Sequence, residues 1–165
     1  ETKKKHASYV EGAEPGMFYN TVTKKLYDGA KGIEVIPCYY KLTFPEWAPF
    51  ERKEGRPVSP DRGPEILSQT KKDASGKDVL QNGNIIIKTA NHFVIIQTDG
   101  GSDKALIAMK STQRKVSRGW NAMMKSIHEK GKNGTFNPPS FSHIYQLRSV
   151  EISGNFTWYG YAVKL

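Results

Sequence analysis

Residues 84–109 constrain the fold more than any other stretch. NIIIKTA (84–90) and HFVIIQT (92–98) are rich in β-branched residues, which suit the pleated, half-buried surface of a strand. Asn82-Gly83 precedes the first run, and Asp99-Gly100-Gly101-Ser102 follows the second; both are turn signals. Ala105 to Met109 supplies a further strand, so the middle of the chain reads as a β-meander.

The rest of the chain continues this pattern. IEVIPCYYKLTF (33–44) is a long strand. With a period of two, Ile36, Cys38, Tyr40, Leu42 and Phe44 fall on one face, and Val35, Tyr39, Lys41 and Thr43 on the other. Pro37 has no ladder donor and argues for an edge or a bulge at that point. Short strands about Met17–Asn20 and Leu26-Tyr27 suggest an edge hairpin, and two long strands, about 141–152 and 156–164, close the chain. Ahead of them lies one helix. Val116, Trp120, Met123, Met124 and Ile127 recur with helical spacing, Ser111 or Thr112 can cap the start, and Gly131 is the expected stop.

This order predicts a mainly β fold, an OB-like Greek-key barrel with one amphipathic helix before the last β-hairpin. A β-sandwich with a helix across one end is the alternative. Residues 1–10 read as a flexible basic N-terminus. Residues 11–165 read as a single domain with a long loop at 51–78.

Charge narrows the function. Lys and Arg number 25 against 16 acidic residues, a net charge of +9, which makes a polyanion the first partner to consider. The lone Cys38 cannot form an internal disulfide, and its apolar surroundings suggest a buried structural thiol in a reducing compartment. No apolar run approaches transmembrane length and no leader pattern is visible, so an intracellular protein without a membrane role is expected. The four His residues lack metal-ligand spacing, there is no phosphate loop, and no acid–base pair stands out. The expectation is therefore a non-enzyme with no catalytic residues, metal or cofactor.

Binding a single strand requires cations along the phosphates and aromatic faces for unpaired bases. The chain interleaves the two. Tyr39 and Lys41 share the first long strand, and Trp47 leads into Arg52 and Lys53. Lys88 lies in the meander, and Arg114, Lys115 and Arg118 lie on the helix. The closing hairpin carries Tyr145, Arg148 and Trp158. These twelve residues are the candidate nucleic-acid contacts. A barrel strand alternates inward and outward, so one aromatic face of the closing hairpin must serve the core.

Several segments also carry a family resemblance. They are Glu11-Gly12-Ala13 with Gly16-Met17, Val35-Ile36-Pro37-Cys38, Glu46-Trp47, and Lys110-Ser111-Thr112-Gln113. Ser117-Arg118 with Trp120, Ser142-His143-Ile144-Tyr145 and Trp158-Tyr159-Gly160 complete the set. With these the chain resembles small bacteriophage proteins of podovirus-like genomes, a group that includes candidate single-stranded DNA-binding proteins. The resemblance implies a role in phage DNA replication or recombination in the host cytoplasm, with phage replication or recombination proteins as further partners. RNA is as compatible with the residues as DNA, because 2′-hydroxyl recognition leaves no mark in a sequence. The competing expectation is a phage virion or protein-interaction module with no nucleic-acid role.

Overall fold

The computed structural model describes residues 9–49 and 55–165. The expected flexible segment therefore lies outside the described residues except for Tyr9 and Val10, and so do Arg52 and Lys53. Among the described residues the fold is mainly β, with one α-helix, α1 (Arg114–Ser126), ahead of the final long hairpin. No helix among them is long and apolar enough to cross a membrane.

The strands begin with a small antiparallel hairpin, β1 (Phe18–Tyr19) with β2 (Leu26–Tyr27). Then come β3 (Ile33–Thr43), β4 (Glu46–Trp47), β5 (Lys71–Lys72), β6 (Asp78–Val79) and β7 (Ile85–Ile86). The expected meander reduces to β8 (Thr89–Thr98) and β9 (Gly101–Lys110), because β7 pairs with β4 and β6 and the end of the run 84–90 starts β8. After α1 come a short hairpin, β10 (Glu129–Gly131) with β11 (Gly134–Phe136), and then β12 (Tyr145–Ile152) and β13 (Trp158–Lys164). One sheet has the order β13-β12-β3-β8-β9, and a second has the order β4-β7-β6-β5. Both orders have free ends. The described strands thus make open sheets, and no pairing among them closes the expected barrel.

The chain groups into two compact units. Unit 1 holds the described residues up to Tyr39, Phe93–Leu106 and Arg118–Leu165; unit 2 holds Tyr40–His92 and Ile107–Ser117. In unit 1 the core is built from Val35, Val94, Ile96, Trp120, Tyr145 and Leu147. Trp120 meets Tyr145 edge-on, with ring centroids 5.8 Å apart, a favoured aromatic geometry. In unit 2 Phe44, Ile66 and Ile86 form a cluster with Leu42, Leu67 and Leu80.

Buried His92 and Ser117 add a polar lock to unit 2, with Nε2 and Oγ 2.8 Å apart. Burial pulls the His92 imidazole down from 6.5 to about 4, so it is neutral at pH 7.

Three local differences from the sequence reading have physical causes. The 51–78 segment is not a bare loop. It pairs Ser59 with Glu46, forms a 3₁₀ helix at Pro64–Gln69 that buries Ile66, and adds β5. The helix stops at Ser126, and Gly131 instead belongs to the β10–β11 hairpin. The third difference is in β3, where the alternation slips by one. Val35 and Pro37 are buried, yet past them it is Tyr40 that lies on buried His92, at 5.0 Å, and Phe44 that is buried. Pairing with β12 ends at Val35, two residues before Pro37, which lacks a donor. Cys38 sits in the slip and is exposed rather than buried.

Candidate nucleic-acid interface

Unit 2 contains a cleft of about 670 Å³. One wall starts in the run Lys72-Asp73-Ala74-Ser75-Gly76-Lys77-Asp78. Asp73 Oδ1 accepts the backbone N–H groups of Ser75 and Lys77, each at 2.8 Å, the local bonding that makes Asp a turn residue. Gly76 takes a φ of 77° and donates its N–H to the Asp73 carbonyl at 2.9 Å. The chain folds back, and Lys72 comes to rest directly opposite Asp78.

The Lys72 ammonium lies 2.8 Å from Asp78 Oδ1, and the Lys88 ammonium lies 3.5 Å from Oδ2. Burial pushes the Asp78 carboxyl up. The hydrogen bond from Lys72 and the charges of Lys88 and Lys72 outweigh it, so the group sits below the usual carboxylate range.

The next strands supply an aromatic. β4 pairs with β7 so that Trp47 faces Ile85 in register. Lys110 Nζ lies 5.2 Å from the centroid of the Trp47 ring, within cation–π range. Lys110 ends β9. Ser111, with a φ of 51°, turns the chain into a short 3₁₀ segment, and Arg114 then opens α1 against the same cleft. The cleft is thus lined by Lys72, Lys77, Lys88, Lys110 and Arg114, with Asp78 as the acid among its lining residues. Crowded cations in a concave wall focus positive potential, and an aromatic ring inside it offers a flat apolar surface.

Three of the candidate residues meet in one place, and three others share only a side of a sheet, spread along it. Trp47, Lys88 and Arg114 meet in the cleft. Tyr39, Arg148 and Trp158 lie on the outer side of the five-stranded sheet within unit 1. Arg148 pairs across from Ala162 and Trp158 from Ile152, in alternation with the buried Tyr145 and Leu147.

The others fall elsewhere. Lys41 is bound to Asp61 at 3.0 Å, and Lys115 and Arg118 are exposed on α1. Tyr145 is a correction. It is 1% exposed against Trp120, on the inward phase of β12, and has no free ring face for a base. Sequence reasoning missed Lys72, Lys77 and Lys110. The available signal was their placement beside turns, two of them flanking Asp73-Ala74-Ser75-Gly76 and one at the strand-to-helix corner.

A family model described as Pam3 phage gp34-like protein matches residues 1–165. The chain belongs to this bacteriophage protein family. No curated protein and no solved structure matches this gp34-like chain.

Proposed function

We propose that this gp34-like chain binds single-stranded nucleic acid, DNA in the first instance, in phage replication or recombination. The observation that carries the reading is the cleft itself, which five cationic side chains and the ring of Trp47 line together with a single acid. Phosphates take the ammonium and guanidinium groups, and an unpaired base takes the tryptophan face. A duplex has no free base face to give that ring, so the cleft favours unpaired strands. Nothing in this lining reads a base edge in a fixed geometry, so binding is sequence-tolerant.

The binding cycle is an exchange. In the free protein Asp78 occupies Lys72 and Lys88, and Lys110 occupies the ring. An incoming strand replaces both, phosphate for carboxylate and base for ammonium. Titration with oligo-dT at low salt tests this. Trp47 emission should be quenched as the base stacks, and Trp47→Phe should remove that signal while leaving binding detectable. Quenching that survives Trp47→Phe unchanged, or no binding at low salt, contradicts the proposal.

A further inference from the structure

Unit 1 displays a pair of aromatic rings that its core does not use. Tyr39 on β3 and Phe93 on β8 have ring centroids 5.6 Å apart with planes tilted by 42°. They are 60% and 41% exposed, and Leu106 on β9 adds a third apolar group at 53%. All three lie on neighbouring strands of the five-stranded sheet. The inner side of those strands already carries the core, through Val35, Val94, Ile96 and Leu147. The slip of alternation at Pro37 is what turns Tyr39 outward beside Phe93. Regular alternation from Val35 would have put it inward. Contiguous exposed aromatic surface is unfavourable in water and marks a contact surface.

The charge carried by this side of the sheet points to the occupant. Level with Glu34 or beyond it, toward the start of β3 and so away from the ring pair, Arg148, opposite Ala162, and Lys164, opposite Gln146, lie on the same side by strand alternation. Lys104 is exposed two residues before Leu106 on β9. Glu34 is the acid on this side of β3. A net cationic surface with two adjacent open rings on separate strands suits a polyanion that carries flat groups. Bases splayed across a sheet and stacked on its aromatics satisfy both demands.

We infer that this sheet face is a second contact for single-stranded nucleic acid, with Tyr39 and Phe93 as its stacking platforms. It rests on the reading of the chain as a single-strand binder, but uses none of the cleft residues. Its character differs from that of the cleft, since it holds bases more than phosphates. Its loss lowers affinity with little change in salt dependence.

The test is anisotropy titration of labelled oligo-dT at several salt concentrations, with the full chain. The paired variant Tyr39→Leu with Phe93→Leu keeps apolar bulk and removes the ring faces. It should bind at least about tenfold more weakly, as expected from lost stacks, with the wild-type salt slope. Tyr39→Phe with Phe93→Tyr keeps the rings and should bind close to wild type. Thermal melts of both pairs check that the fold is intact.

Wild-type affinity in the leucine pair overturns the inference and makes the face a protein contact. A loss accompanied by a flattened slope also overturns it. Lys88→Ala with Arg114→Ala separates the two readings. If that pair binds normally while the leucine pair is weak, the cleft fails and the sheet face stands. If the wild type binds no oligonucleotide, both fall.

Discussion

The cleft of unit 2 and the outer sheet face of unit 1 differ in what they offer a ligand. The cleft is lined by Lys72, Lys77, Lys88, Lys110 and Arg114 together with one ring, Trp47. The sheet face shows two touching rings and an aliphatic side chain, with cations only at intervals. On the proposed reading, binding at one surface is dominated by counterion release and at the other by stacking. The difference teaches that a basic composition does not say which surface offers charge and which offers rings, because charge and aromatic area are apportioned to different elements.

The comparison breaks most sharply on charge reversal in the cleft. Lys88→Glu with Arg114→Glu should weaken oligo-dT binding by about a hundredfold or more at low salt, because two phosphate contacts become repulsive. Anisotropy titration reads this directly, and an unchanged affinity would remove the cleft from the binding surface. Trp47→Ala comes next. Loss of one stack, roughly 1–3 kcal/mol, corresponds to about five- to a hundredfold weaker binding, with a salt slope close to that of the wild type.

A smaller effect of opposite sign is expected at Asp78. Asp78→Asn frees Lys72 and Lys88 and should tighten binding by up to about fivefold, the scale of a partly exposed ion pair. Weaker binding by Asp78→Asn would mean that the carboxylate positions the lysines rather than competing for them.

The cores of the two units should also part company in acid. His92 is neutral in the fold, with a pKa of about 4, whereas the unfolded chain takes up a proton near 6.5. The unfolded state therefore binds more protons between these values. Stability is fully present above about pH 6.5 and declines as pH falls toward 4, by on the order of 3 kcal/mol at most. Trp120 and Tyr145 of unit 1 have no group that titrates in that window. Amide exchange at pH 4.5 should therefore rise first in unit 2, and Ser117→Ala should advance the effect by leaving the buried His92 Nε2 without its hydroxyl partner. Equal loss of protection in both units would count against His92 as the cause.

Much of this organisation was legible in the sequence. The β8–β9 strands and the apolar stripe of α1 rest on periodicity over ten or more residues, and the length of β3 was legible although its phase slips. The run 84–90, read as one strand of a meander, instead divides between β7, paired with β4 and β6, and the start of β8. Trp47, Lys88 and Arg114 were legible as types of residue, although no spacing linked them. They meet only because β4, β7 and α1 are brought together by long-range pairing and packing. A single phase carried through Pro37 overlooks the edge or bulge that the proline signals; the slip of one residue there reverses Val35 relative to Tyr40, Leu42 and Phe44. For the same reason Cys38 is exposed and Tyr39 faces solvent beside Phe93. Tyr145 and Trp158 looked equivalent in sequence. Register separates them, since β12 turns Tyr145 onto Trp120 while Trp158 pairs across from Ile152 on the other side. The strand and 3₁₀ segments within residues 51–78 were hidden because each is too short to show a period.

The measurement that bears most directly on the central claim is the salt dependence of oligo-dT affinity for the wild type and for Lys88→Ala with Arg114→Ala. The account predicts a linear fall of log affinity with log salt for the wild type. The slope of the variant should be shallower by about 1.4, since each neutralised phosphate contact on a single strand contributes about 0.7. Affinity that does not respond to salt, or the same slope in both proteins, would contradict it.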